Sequence, residues 1–214
     1  MENSVCLLVT LAKGHKKELF SELQASEIID NGTGFFIDPN GLIATAKHVL
    51  KCGNDEAIFT IVGDKILPVE IIKRYELLGD GDYNDYALCK VALSSLQYLK
   101  LGSSKILKER EKLRVLGFSK HSKSKLSREM KYKDGVIHFN EIEGLLFNHG
   151  LPKIDGLGPF DNGFIMLYVE TISRQPAGMS GGPVVNEDGE VVGLLVRGFN
   201  SNGVLCLHAM KLSQ

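Results

Sequence analysis

The feature that most constrains the fold of this chain is a succession of short apolar runs, each bounded by residues that favour turns. The runs are rich in valine, isoleucine, leucine and aromatic residues, which pack well on the pleated surface of a sheet. Examples are VCLLVTLA (5–12), AIFTIVG (57–63), EVVGLLVRG (190–198) and GVLCLHAMKL (203–212). Because turns rather than long helical segments separate the runs, they predict an antiparallel sandwich or barrel and not alternating strands and helices.

The segments between the runs support an all-β fold. DPNG at Asp38–Gly41 and NEDG at Asn186–Gly189 have the composition of hairpin turns. Helical pattern is scarce: Lys16–Ser26 is expected to form one short helix, and TAKHVLKC (45–52) one or two helical turns after a strand. The glycine- and proline-containing segment Leu145–Asn162 predicts a long loop, and loops of that length in compact domains are usually functional or mobile.

Composition and charge narrow the classes of partner. The chain has 214 residues and a formal net charge of −1, so no global field favours nucleic acid or an anionic membrane. The basic run Lys120–Lys133 is interpreted as a solvated loop or an edge strand protected by lysine. The first residues, MENSVCLLVTLAKGHKK, resemble neither a secretory signal nor a membrane span. We therefore expect neither a nucleic-acid nor a membrane partner, and neither an anchor nor a second domain.

The four cysteines, Cys6, Cys52, Cys89 and Cys206, are scattered and contain no C-x-x-C pair. Without a secretory signal, this pattern predicts free thiols in a reducing compartment, and we expect a cytoplasmic protein. No histidine and cysteine cluster has the spacing of metal ligands, so neither a metal nor a cofactor is expected.

The segment PAGMSGGPVV (176–185) is a candidate for a reactive site, because it surrounds one hydroxyl, that of Ser180, with three glycines. A serine is a poor nucleophile at neutral pH and needs a base, which in turn needs an acceptor. His48 in GLIATAKHVL and Asp85 in GDYNDYALCKV lie at the ends of predicted strands and could fill these roles. Each alone has an ordinary alternative: a surface or core histidine, a turn-forming aspartate, and a tight turn before a strand.

Taken together, the motifs TAKH, NDYAL and GMSGGP occur in the order His, Asp, Ser. In this order they resemble the T-A-A-H, D-I-A-L and G-D-S-G-G-P motifs of trypsin-like (chymotrypsin-fold) serine peptidases. The segment GTGFFIDPNGLIATAKH also resembles the pattern before the histidine in the HtrA-like branch of that family. The similarity extends from about Val5 to Met210.

The resemblance implies an all-β fold of two packed antiparallel barrels with the active site between them. It implies an N-terminal barrel over residues 1–105, carrying His48 and Asp85, and a C-terminal barrel over residues 106–214, carrying Ser180. Ser180 would be the nucleophile, His48 the general base and then general acid, and Asp85 the residue that orients His48. The backbone N–H groups of Gly178 and Ser180 would form the oxyanion hole, and the enzyme would be a serine endopeptidase.

The resemblance also implies a specificity pocket. Arg174, six residues before the nucleophile, would lie at the pocket base, where a cation favours an acidic side chain. Val196, Arg197 and Gly198 would form one wall and Gly203 the far side. If Arg174 instead points to solvent, the pocket is small and apolar.

One departure from the digestive enzymes bears on regulation. They carry an aspartate before the nucleophile, which pairs with a new N-terminal amine after cleavage, and Met179 cannot form that ion pair. We therefore expect a weakly active or latent chain whose loop Ser173–Met179, or Leu145–Asn162, is ordered by a regulatory protein or an activating ligand.

Three functions stay open from the sequence alone. The first is an endopeptidase acting on a protein or peptide substrate, and the complete set His48, Asp85 and Ser180 favours it. The second is a catalytically silent member of the fold that serves as a binding or regulatory module. The third is a structural β-barrel or a nucleic-acid binder that uses Lys120–Lys133.

Overall fold

The computed structural model describes residues 1–74, 85–103, 107–120, 128–147, 164–169, 177–201 and 204–211. Within them the fold consists of β-strands and short 3₁₀ turns. The strands are β1 (Val5–Ala12), β2 (Asp30–Phe36), β3 (Leu42–Thr45), β4 (Glu56–Val62), β5 (Lys65–Arg74), β6 (Ala87–Val91), β7 (Lys112–Ser119), β8 (Arg128–Tyr132), β9 (Gly135–Phe147), β10 (Phe164–Val169), β11 (Pro183–Val185), β12 (Val191–Ser201) and β13 (Val204–Lys211). The 3₁₀ turns are Glu2–Ser4, Phe20–Glu22, Ala25–Glu27 and Lys47–Leu50.

Strands β1 to β6 form a closed barrel in the order β1-β2-β3-β6-β5-β4, with every neighbouring pair antiparallel. Closure leaves no unpaired edge around this ring. The hairpin turn Asp38–Gly41 joins β2 to β3, as its composition predicts, and Gly41 adopts a φ of +84°. That left-handed conformation is one that glycine adopts without a steric penalty.

Strands β7 and β9 to β13 form a second antiparallel ring, in which β10 pairs with both β9 and β13. Strand β8 adds to β9 at the edge of this sheet. The described part of Lys120–Lys133 therefore contains an edge strand, as expected, while residues 121–127 lie outside the described residues. The all-β architecture of two packed barrels agrees with the prediction.

The barrels pack against each other through one apolar cluster. It includes Leu7 and Phe35 of the first barrel together with Phe118 and Leu194 of the second, each at most 5% exposed. The cluster therefore continues from one barrel into the other. The predicted boundary between residues 105 and 106 lies outside the described residues and stays a prediction.

The structure differs from the sequence expectation in two segments. Lys16–Ser26 is not one helix, because the chain there is held extended against the β4–β5 hairpin: Phe20 N–H donates to Asp64 and Ile66 N–H to Glu18. Only the two short 3₁₀ turns, Phe20–Glu22 and Ala25–Glu27, follow. The predicted loop Leu145–Asn162 begins later than expected, since β9 continues to Phe147, and residues 148–162 lie outside the described residues.

The described residues contain neither a membrane-spanning helix nor a metal-binding cluster. No helix among them is long and apolar enough to cross a membrane. No group of histidine, cysteine, aspartate and glutamate side chains among them could hold a metal ion.

Candidate active site

The register of two neighbouring strands brings His48 and Asp85 together. Strand β3 pairs antiparallel with β6, and Thr45 at the end of β3 lies opposite Ala87 at the start of β6. His48 follows β3 in the 3₁₀ turn Lys47–Leu50, and Asp85 comes two residues before β6 begins. Residues that leave one strand and enter the next therefore meet at the same end of the first barrel.

Two hydrogen bonds join the side chain of Asp85 to His48. His48 Nδ1 lies 2.5 Å from Asp85 Oδ2, and the backbone N–H of His48 donates to Asp85 Oδ1 at 2.9 Å. The backbone N–H of Lys47 also donates to the carbonyl of Asp85, at 3.2 Å. A proton held on Nδ1 leaves Nε2 as the free acceptor, which is the tautomer that a general base needs.

The charge state of Asp85 suits this role. Burial by itself would raise the pKa of the Asp85 carboxyl group, but the hydrogen bonds and charge of His48, together with the charge of Arg197, lower that pKa below its ordinary value. The carboxylate is therefore ionised at neutral pH and can hold the imidazole in one orientation.

Glycine is required on both sides of Ser180. Gly178 has a φ of +98° and Gly181 a φ of +84°, in the left-handed region that side chains rarely adopt. A Cβ on Gly181 would lie 2.2 Å from the carbonyl oxygen of Thr33, and one on Gly178 would lie 2.8 Å from that of Phe118. Glycine is needed at these two positions because the Ser180 loop passes close to the backbone of β2 and β7.

The Ser180 loop is bonded to both barrels. The N–H of Thr33 in β2 donates to the carbonyl of Ser180 at 2.9 Å, and the N–H of Gly181 donates to Leu195 in β12 at 2.7 Å. The Ser180 hydroxyl donates to the carbonyl of Val196 at 3.2 Å. Val196 lies at a bulge, where the pairing of β12 with β13 shifts between Leu195 and Arg197. A bulge leaves its residue outside the regular ladder, which makes the Val196 carbonyl available to Ser180.

A cleft of about 370 Å³ contains the three predicted catalytic side chains. Its lining residues are His48, Asp85, Ala177, Ser180, Leu195, Val196, Arg197 and Gly198. Three residues of the predicted specificity pocket, Val196, Arg197 and Gly198, therefore line the same cleft. Arg174 and Gly203 lie outside the described residues, as does Asp82, a second aspartate three residues before Asp85.

The backbone N–H groups of Gly178 and Ser180 are the two predicted to form the oxyanion hole. Neither donates to a carbonyl of a described residue. They are separated by Met179, which is fully buried among Val115, Val184 and other apolar side chains of the second barrel. Burial of Met179 directs Ser180 away from the core and towards the cleft. The hydroxyl of Ser180 and the ring of His48 share the cleft without a hydrogen bond between them in the described structure.

Two residues of β2 that contact the Ser180 loop were not predicted. Thr33 donates its hydroxyl to the carbonyl of Gly178 at 2.9 Å. The side-chain nitrogen of Asn31 lies 2.4 Å from the position of a Cβ on Gly178, and it is buried without a hydrogen-bond partner among the described residues. Thr33 lies in the segment GTGFFID, which the sequence marked as a strand and as part of the family pattern, and Asn31 comes directly before that segment.

Sequence similarity identifies the family to which a chain with this fold and cleft belongs. A model of the trypsin-like peptidase domain matches residues 32–194, which is most of the chain. This chain belongs to the trypsin-like peptidase family, and the resemblance stated from its motifs is confirmed.

The similar proteins come from the HtrA-like branch. A probable periplasmic serine endoprotease, DegP-like, of Halomonas elongata is 29% identical over 192 residues, covering 90% of this chain and 32% of that protein. Mitochondrial serine protease HTRA2 of Drosophila virilis is 30% identical over 166 residues, covering 77% of this chain and 34% of that protein. The chain thus spans about a third of the length of these relatives.

A solved structure of the HtrA-type protease AlgW with tripeptide has the same fold. It superimposes with a TM-score of 0.63 at 17% sequence identity and covers 98% of this chain and 56% of that one. This likeness confirms the predicted two-barrel architecture.

Proposed function

We propose that the protein is a serine endopeptidase that hydrolyses peptide bonds through an acyl-enzyme formed on Ser180. The observation that carries the proposal is the bonded pair His48–Asp85 in the same cleft as a serine flanked by glycines of positive φ. Family membership, and relatives that are named serine endoproteases, give it further support.

In the acylation step, Ser180 Oγ attacks the carbonyl carbon of the scissile peptide bond and its proton passes to His48 Nε2. The carbonyl oxygen becomes an oxyanion that accepts hydrogen bonds from the N–H groups of Gly178 and Ser180. Asp85 stabilises the imidazolium that forms. The carbon–nitrogen bond then breaks, Nε2 returns the proton to the leaving amine, and an ester to Ser180 remains.

Deacylation repeats these roles with water. His48 Nε2 accepts a proton from the water as its oxygen attacks the ester carbonyl, and the same oxyanion donors act again. Collapse of the second tetrahedral intermediate releases the carboxylic acid and returns the proton to Ser180 Oγ. Before the first attack, the Ser180 hydroxyl has to exchange its bond to Val196 for one to His48.

The substitution Ser180→Ala tests the proposal. It should lower the turnover of a fluorogenic peptide by about 10⁶-fold, because the attacking oxygen is lost. A matched control is Ser94→Ala, since Ser94 is exposed and does not line the cleft. A fluorophosphonate should label the wild type and Ser94→Ala, but not Ser180→Ala. A folded Ser180→Ala protein that cleaves at the wild-type rate contradicts the proposal, and a wild type that never reacts favours the silent binding module.

The charge of the cleft suggests a substrate preference. Arg197 is exposed on the cleft and forms no ion pair with a described carboxylate within 4.0 Å. A guanidinium there would attract an acidic side chain next to the scissile bond, and Arg174 would act in the same direction if it lies at the pocket base. We therefore propose protein or peptide substrates with an acidic residue beside the cleaved bond.

Regulation by loop ordering belongs to the same proposal. Met179 is buried among apolar residues, so no ion pair at that position holds the loop in the way a new N-terminal amine does in the digestive relatives. We expect the isolated chain to be weakly active or latent, and a regulatory protein or ligand that binds only the ordered form of Leu145–Asn162 or of Ser173–Met179 would raise its activity by population shift. Active-site titration of the chain alone checks this: complete, fast labelling with high turnover contradicts latency.

A reducing compartment, and specifically the cytoplasm, is also a proposal. Cys6, Cys52 and Cys89 are free thiols, and burial raises the pKa of the Cys6 thiol to about 12. The two relatives named above are described as periplasmic and mitochondrial, which makes direct localisation of the chain the test. Recovery of an epitope-tagged chain outside the cytoplasmic fraction would contradict it.

A further inference from the structure

Thr33 makes hydrogen bonds through its N–H, its hydroxyl and its carbonyl, and two of these bonds reach the loop that carries Ser180. Its N–H donates to the carbonyl of Ser180 at 2.9 Å, and its hydroxyl donates to the carbonyl of Gly178 at 2.9 Å. The residue is fully buried in β2 of the first barrel. The two carbonyls that it binds belong to the second barrel and lie on either side of the nucleophile's own N–H.

These two bonds hold the peptide units on either side of one further peptide unit. A peptide unit is planar, so a bonded carbonyl fixes the direction of the N–H in the same unit. Thr33 holds the unit that follows Gly178 and the unit that follows Ser180. The unit between them carries the N–H of Ser180, one of the two predicted oxyanion donors. The carbonyl of that unit, which belongs to Met179, accepts the N–H of Gly182 at 2.9 Å, and Thr33 holds the units on either side of it.

The remaining bonds of Thr33 tie the loop to the rest of the cleft. The N–H of Phe118 in β7 donates to the Thr33 hydroxyl at 2.9 Å, so that hydroxyl accepts one hydrogen bond and donates another. The Thr45 hydroxyl donates to the carbonyl of Thr33 at 2.6 Å, and Thr45 ends the strand that leads to His48. One residue thus connects the strand that leads to the proposed base with the loop that carries the proposed nucleophile.

We propose that Thr33 is a positioning residue that holds the Ser180 loop in its catalytic conformation. It does so with uncharged hydrogen bonds across the barrel interface, where Met179 offers no charge to hold the loop. The inference rests on the proposed function, because the loop has a catalytic conformation only if Ser180 is the nucleophile. Valine keeps the shape of threonine but can neither donate to Gly178 nor accept from Phe118.

The test compares Thr33→Val and Thr33→Ser with a matched control, Thr60→Val. Thr60 is also a fully buried threonine of the first barrel, and its hydroxyl donates to Leu7 at 3.3 Å outside the cleft. Thr33→Val should lower kcat about tenfold or more with little change in KM, because two buried polar groups lose their partner. Thr33→Ser should stay within about threefold of wild type, since it keeps the hydroxyl, and Thr60→Val should keep the wild-type kcat even where it lowers the melting temperature.

A second readout does not depend on catalysis. Hydrogen exchange of the backbone N–H groups of Phe118, Gly181 and Gly182 should be faster in Thr33→Val than in wild type, and unchanged in Thr60→Val. These groups donate to Thr33, Leu195 and Met179 respectively. If Thr33→Val is too unstable to study, Thr33→Ala removes the same hydroxyl with less crowding and carries the same expectations.

The outcomes separate the two proposals. Faster exchange in Thr33→Val with rescue by Thr33→Ser supports the loop-holding role even if the wild type proves inactive, a result that would count against the proposed function alone. A folded Thr33→Val or Thr33→Ala protein with wild-type exchange at Phe118, Gly181 and Gly182 overturns the role of Thr33. So does a Thr33→Ser protein as impaired as Thr33→Val, because the hydroxyl would then not be what matters.

Discussion

His48 and Asp85 lie on neighbouring strands of one barrel, whereas Ser180 lies in a loop of the second barrel that is held partly by the first. The first pair depends on the register of β3 with β6, which places His48 Nδ1 2.5 Å from Asp85 Oδ2. The position of Ser180 depends on close contact between the barrels, through the carbonyls of Gly178 and Ser180. Substitutions at the His48–Asp85 pair and substitutions in the Ser180 loop should therefore lower activity in different ways.

The largest expected effect in this comparison is that of Asp85→Asn, which breaks the local pair. The amide keeps the shape of the side chain but favours the wrong tautomer of His48, so kcat should fall by about 10⁴-fold. The fold should persist, and steady-state kinetics with a circular dichroism melt measure both quantities. Asp64→Asn, at an exposed carboxylate that binds Ser21 outside the cleft, is the control. If Asp82→Asn were damaging and Asp85→Asn mild, the choice of acid would be wrong.

Gly181→Ala is the corresponding change on the Ser180 side. The new Cβ would lie 2.2 Å from the carbonyl oxygen of Thr33, so the loop or β2 has to move. A displacement of about 1 Å at a reacting group can cost about 10²-fold in rate, and a loss of that order in kcat is expected. The His48–Asp85 bond should survive, which the NMR signal of the His48 Nδ1 proton can report.

Gly63→Ala isolates the cost of the backbone conformation from that of the clash. Gly63 has a φ of +65°, but nothing lies within 4 Å of its Cβ position. This variant should lose about 1–2 kcal/mol of stability and keep its kcat. Equal kinetic damage in Gly63→Ala and Gly181→Ala would mean that close contact with β2 does not set the Ser180 loop.

Arg197→Gln should have a smaller effect, confined to substrate choice. An exposed ion pair contributes about 0.2–1 kcal/mol, so the wild type should prefer a glutamate over a glutamine beside the scissile bond by roughly 1.5- to 5-fold. The variant should show a ratio near one, with unchanged turnover of the glutamine peptide. Paired peptides assayed at low and high salt measure this, because added salt should weaken the preference of the wild type alone. A preference that survives Arg197→Gln assigns specificity to another residue.

The smallest effect concerns acid stability. The folded state lowers the pKa of Asp85 below its ordinary value of 3.8, so its ionised form stabilises the fold at any pH above that value. This contribution is lost as pH falls from the ordinary value through the lowered one. The stability gap between wild type and Asp85→Asn should therefore narrow only in that acid range, as urea unfolding at a series of pH values would show. A gap independent of pH contradicts the assigned charge state.

The all-β class, the two hairpin turns and the family could all be predicted from the sequence. Alternating apolar runs and turn residues are local signals, and the motifs around His48, Asp85 and Ser180 are contiguous stretches. The sequence also indicated which glycines stand beside Ser180, although not what they approach. The division at residue 105, and the pocket residues Arg174 and Gly203, stay predictions.

Which groups meet across the two barrels could not be predicted from the sequence and is seen only in the folded structure. The expected helix at Lys16–Ser26 failed because the β4–β5 hairpin offers that segment backbone partners from distant positions. Thr33 lies in a segment that resembles the family pattern, but nothing in that segment predicts hydrogen bonds to the Ser180 loop. Its role depends on the Ser180 loop, which lies far along the chain, being packed against β2. Hydrogen bonds between such distant segments depend on how the barrels pack, and periodicity within a short window carries no information about them.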